Sequence, residues 1–208
     1  MPTVSLKTFL KKGFLEKTIR NSPQVALAVD RAFKRRVAGL KGAALADFDR
    51  HPVTREIQQG PDSTNISQTL GGTGNLFSFI GFYSGDRPTD LVREILKGYL
   101  NIIGRQTAKR NNKGVQSYRY SLSFPTLSAF DIAARMPWET GNSWVKGVET
   151  GISGYSNYMY LTYGEGKIAQ RSRSGKAVQS KNRINIGIFK PTAYISEILD
   201  KYRKRLGQ

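Results

Sequence analysis

Two prolines bracket the stretch that most limits how this chain can fold. Ser22-Pro23 sets a capping hydroxyl before a residue suited to the first helical position, where proline's missing N–H would find no partner in any case. His51-Pro52 closes the same stretch, because the residue before a proline is driven out of the helical region. Between them Val25, Val29, Phe33, Leu40, Ala44 and Phe48 recur at steps of four or seven, while Arg31, Lys34, Arg35, Arg36 and Lys41 fall mainly elsewhere. The pattern predicts a long amphipathic helix from Ser22-Pro23 to about Phe48, weakened locally by Gly39 and Gly42.

Beyond Pro52, the segment Gln59 to Gly74 is turn chemistry: Gly60-Pro61, Asp62-Ser63, Asn65 and the cluster Gly71-Gly72-Thr73-Gly74. Asn75 to Phe82, apolar at Leu76, Phe77, Phe79 and Ile80, predicts a buried strand. Helical spacing returns from Pro88 to Ile103 through Leu91, Ile95, Leu96, Tyr99 and Ile102, with Gly104 as the stop. Val115 to Phe124 alternates, Tyr118, Tyr120, Leu122 and Phe124 on one parity against Ser117, Arg119, Ser121 and Ser123 on the other, as a half-buried strand does. Short helices are expected over 127–134 and 142–151, strands over 155–163 and 184–188, and a flexible basic loop over 164–183. A closing helix runs from Ala193 to Leu206, its basic last turn (Lys201, Arg203, Lys204, Arg205) complementing the helix dipole. There is no internal repeat. The sum is one α+β domain over 1–208, with helices packed on a mainly antiparallel β-sheet, a long N-terminal helix, a C-terminal helix and extended loops.

Chemistry narrows the function. Lys and Arg number 33 against 15 Asp and Glu, a formal charge of +18 that favours polyanionic or acidic partners. With no cysteine and one histidine, disulfides and thiolate metal sites are excluded and only carboxylates remain to hold a metal. The start MPTVSLKTFLKKGFLEK is broken by lysines and reads as neither secretory signal nor membrane span, so a soluble cytoplasmic protein is expected. His51 has Asp49 and Glu56 nearby, but a helix-ending His-Pro step is explained by capping. The acid pairs Asp47 with Asp49 and Glu139 with Glu149 have no distinctive spacing. The glycine cluster precedes an apparently extended segment, the reverse of the strand, glycines, helix order of nucleotide sites. Neither Gly166-Lys167 nor Gly175-Lys176 completes a phosphate loop. No enzyme activity, cofactor, metal or small-molecule substrate is expected.

Basic patches interleave with Tyr118, Tyr120, Tyr155, Tyr158, Tyr160 and Tyr163, which makes a nucleic-acid-binding protein the alternative. The segment HPVTREIQQGPDSTNISQTLGGTGNLFSFIGF, preceded by LKGAALADFDR and followed by PWETGNSWVKGVETGISG, resembles virion structural proteins of tailed bacteriophages, those of the neck, tail completion or other tail parts. The resemblance implies a non-enzymatic subunit of a ring at the head-to-tail junction, or of the baseplate, resident in the virion and assembled in the host cytoplasm. Its partners would be other neck or tail proteins and copies of itself, with no membrane. On this reading the candidate assembly contacts are Pro61, Asn65, Leu70 and Asn75, then Phe77 and Phe79, with Trp138 and Trp144 as a second region. The loop over 60–74 would reshape as a neighbour arrives, the apolar segment docking edge to edge as an added strand, although Leu76 to Phe82 also suits an ordinary core. Lys109, Arg110, Arg171, Arg173 and Lys176 are the candidate contacts to packaged DNA or acidic neighbours.

Overall fold

The computed structural model describes residues 22–71, 74–99, 101–106, 118–137, 139–151 and 189–207. The chain divides into two compact units, one of residues up to 40 with 101–123, the other of 41–100 with 124 onward. Helix α1, Pro23–Arg50, begins in the first unit and ends in the second. Ser22 starts it as the sequence predicts: its Oγ accepts from the Gln24 N–H at 3.2 Å and its carbonyl from Val25 at 3.1 Å.

In the first unit, strands β1 (Ile102–Gln106) and β2 (Arg119–Leu122) pair antiparallel, Ile102 opposite Leu122 and Gln106 opposite Arg119. A bulge sets Ile103 outward, where it is 70% exposed. The Tyr120 ring stacks on Phe33 of α1, centroids 3.9 Å apart. Val37, 6% exposed, is the one buried apolar side chain among the described residues of this unit. The helix expected to reach Ile103 stops earlier, because Ile102 and Gly104 belong to β1 and the Asn101 carbonyl already accepts from Ser123 at 2.9 Å. Val115 to Ser117, the start of the strand expected before Arg119, lies outside the described residues.

The second unit holds a core of helices. His51 ends α1 and caps α2 (Pro52–Gln58), which packs against α3 (Leu76–Ile80) and α4 (Pro88–Gly98). A turn of 3₁₀ helix at Leu127–Phe130 stands where a short helix is expected and lies against α4. A small antiparallel pair, β3 (Arg135–Met136) with β4 (Glu139–Ser143), leads into α5 (Trp144–Thr150), and the chain closes in α6 (Ile195–Gly207). Among the described residues the strands thus form two two-stranded antiparallel sheets, and the fold is helix-rich α+β with the expected long N-terminal and C-terminal helices. The strands expected over 155–163 and 184–188, and the basic loop over 164–183, lie outside the described residues.

Where a strand is expected over Asn75 to Phe82, Leu76–Ile80 is helical instead, capped by Asn75 and Gly81. The Asn75 side chain accepts from the Ser78 N–H at 2.9 Å and so caps α3. At the other end Gly81, φ 89°, takes the left-handed conformation, its N–H reaching the Ser78 carbonyl at 3.0 Å and that of Phe82 the Phe77 carbonyl at 3.2 Å. These are the two crossed bonds of a Schellman stop. All five α3 residues are buried, so the apolar run carries no period by which helix and strand differ.

Candidate functional site

The polar groups of the second unit converge on one task, holding its segments together. Glu56 lies on the inner face of α2 beside Val53 and Ile57 and is completely buried. Its Oε2 accepts from the Ser67 N–H and its Oε1 from the Leu76 N–H, both at 2.6 Å. A buried carboxylate is tolerable only with such donors, and these two fix both the middle of the 60–74 loop and the first turn of α3. Asn75 adds the far side: its Nδ2 donates to the carbonyls of Pro61 at 3.1 Å and Ser63 at 3.0 Å. Gln68, exposed with φ 57°, is the one described residue other than glycine with positive φ.

A second cluster joins α1, α2, α5 and α6 around Tyr194. Its ring lies 5.9 Å from Phe48, 4.8 Å from His51 and 6.2 Å from Trp144. Its hydroxyl bonds that of Thr54 at 2.6 Å, and complete burial pushes the phenol well above its ordinary range. His51 accepts from the Val53 N–H through Nδ1 at 3.3 Å. Burial holds its pKa below the ordinary 6.5, against the opposing pull of Glu197 and the Ala193 backbone. Beyond this cluster, Asp47 accepts from the Tyr202 hydroxyl at 2.8 Å and pairs with Lys201. The Lys201 bond foremost holds the Asp47 carboxyl below its usual range; burial and the Asp47 carboxylate push Tyr202 up to about 12. Glu149 of α5 accepts from the Ser196 N–H at 2.7 Å, capping α6, and Asp49 takes Arg93 at 2.9 Å.

Of the residues expected at an assembly surface, Leu70, Asn75, Phe77, Phe79 and Trp144 are buried within the chain, and Pro61 and Asn65 are half-buried. Trp138 lies outside the described residues. Phe79 stacks on Phe189 at 5.6 Å, and Trp144 meets Phe82 edge-on at 6.0 Å. The run from Leu76 to Phe82 therefore forms core, and because it is helical it has no strand edge to offer another sheet. Lys109, Arg110, Arg171, Arg173 and Lys176 lie outside the described residues. Exposed cations do appear on α1, at Arg31, Lys34, Arg35 and Arg36, and on α6, at Arg203, Lys204 and Arg205.

The sequence reading passed over Glu56 as a holding group, although a signal was present. On a helix Glu56 falls on the same side as Val53 and Ile57, so an acid shares an apolar face. Among the described residues no three His, Asp or Glu side chains are grouped to hold a metal, and no helix is long and apolar enough to cross a membrane. No protein-family model, curated protein or solved structure matches the chain.

Proposed function

We propose that the chain is a structural subunit of a tailed-phage virion, a ring component at the neck or head-to-tail junction that works by fitting against other neck or tail proteins and copies of itself. It would assemble in the host cytoplasm and reside in the particle. The kinship is supported by the resemblance of residues 40–82 and 136–154 to such proteins. One observation supports the mode of action: Asp47, Asp49, Glu56 and Glu149 each hold a structural bond inside the subunit, and His51 serves as a cap. Residues of the kind acid–base chemistry uses are here spent on shape.

The loop over 60–74 then acts by a preset form. Glu56 and Asn75 pin it from within, leaving Thr64, Gln68 and Gly71 exposed along it, and a prepositioned loop loses less entropy when a neighbour docks. Negative-stain microscopy and mass photometry of the purified chain, alone and with candidate neck and tail proteins, test the proposal. Rings, or incorporation into a particle, are the expected result; a monomer that joins nothing overturns it. The net charge of +18 favours a second reading, a basic nucleic-acid-binding protein, which predicts retention on DNA or RNA at physiological salt. Labelled antibody on whole particles separates the neck from the alternative position at the baseplate.

A further inference from the structure

We infer that the face of α1 carrying Arg31, Lys34 and Arg35 is a sequence-independent binding site for the phosphate backbone of duplex nucleic acid. At about 100° per residue the three fall within a sector of about 100°. All three are exposed. Arg31 and Arg35 have no carboxylate partner among the described residues, and Lys34 shares an i,i+4 pair with Asp30 at 2.9 Å while its side chain stays 63% exposed. With its ammonium so open to water, an i,i+4 pair of this kind contributes little and leaves Lys34 able to meet another anion. The basic end of α6 is different: Lys201 is held by Asp47, Arg203 pairs with Asp200 at 3.5 Å and lies over the Phe124 ring, and Arg205 lies over Tyr202. On α6, Lys201 is engaged by an acid and Arg203 and Arg205 by rings, whereas Arg31 and Arg35 of α1 stand exposed with neither among the described residues.

The spacing selects the ligand. From Arg31 to Arg35 the helix advances about 6 Å, a length over which a duplex carries about three to four charges. A duplex keeps that density along its whole length, and guanidinium forks match phosphate oxygens in pairs. Ala38 is exposed in the same sector, and its short side chain lets a backbone approach the helix closely. On this inference the three cations meet phosphates, so the contact orients a duplex without choosing its sequence.

The inference stands apart from the assembly reading, since a subunit that joins no ring would still bind duplex, and a ring would still form from a chain that does not. Fluorescence anisotropy with a mixed-sequence duplex of about 20 base pairs, repeated across salt concentrations, tests it. Arg31→Gln with Arg35→Gln is compared with a control of equal net charge, Arg203→Gln with Lys204→Gln, both checked for native helix content by circular dichroism. The α1 pair is expected to lower the slope of log affinity against log salt by about 2 and to weaken binding some tens-fold near 0.1 M salt, while the control keeps the wild-type slope. Equal losses in both variants, no binding by the wild type, or displacement of the duplex by polyglutamate at equal charge concentration would overturn it.

Discussion

A carboxyl group removed from water must find partners for its oxygens, and those of Glu56 find two backbone N–H groups. Taking either away strands a buried partner as well. Glu56→Gln keeps the shape but turns an amide toward an N–H, and is expected to destabilise by about 2 kcal/mol; Glu56→Ala leaves both donors bare and should cost about 3 kcal/mol. Urea unfolding measures both, and loss of exchange protection at Leu76 and Ser67 would locate the damage. His51 supplies the pH dependence. Its folded pKa lies below the ordinary 6.5, so the unfolded chain takes up the proton first. Stability from this residue is complete above that value and falls as pH drops through the folded pKa. His51→Asn keeps a capping oxygen and removes the titration. Its unfolding free energy should therefore vary less between about pH 6.5 and 5 than the wild type's; an unchanged slope would assign the dependence elsewhere. Asp47, held below its ordinary 3.8, adds a separate loss only at lower pH.

Helix α3 shows how far an element's ends outweigh its middle. Five residues form it, too few for intrinsic propensity to decide, and the caps at Asn75 and Gly81 define it. Gly81→Ala places a Cβ in the left-handed region and should cost about 1–2 kcal/mol, with Gly81→Asn costing less; thermal unfolding ranks the two. The long elements were legible from sequence because an exposed face lends them a period: α1 with its proline brackets, and α6 with its basic last turn. Asn75 and Gly81 are residues suited to a helix start and stop, but a run buried on every side gives no period to set beside them. The bonds from Glu56 could not be read at all, since their other ends are backbone N–H groups 11 and 20 residues away. A main-chain donor has no letter of its own.

The molecule is uneven in how its parts are held. The second unit closes around completely buried side chains such as Phe48, Ile80, Trp144 and Tyr194, whereas the first, among its described residues, has Val37 and the Phe33–Tyr120 stack. A two-stranded ribbon is marginal by itself. Hydrogen exchange followed by mass spectrometry should show β1 and β2 opening at a lower free energy than α2 and α6 in the free subunit. Protection rising in the ribbon on assembly would mark it as a region a neighbour steadies; equal protection throughout the free chain would contradict the unevenness.

Tyr194 has a temporal consequence as well. The tyrosine that meets Thr54 across 140 positions of sequence, and whose ring sits near Phe48, His51 and Trp144, leaves the ribosome long after all four. Until it emerges, a nascent chain has those aromatic surfaces open to water and to other nascent chains. Maturation is therefore expected to follow the synthesis of α6, with chaperone dependence concentrated in that waiting period.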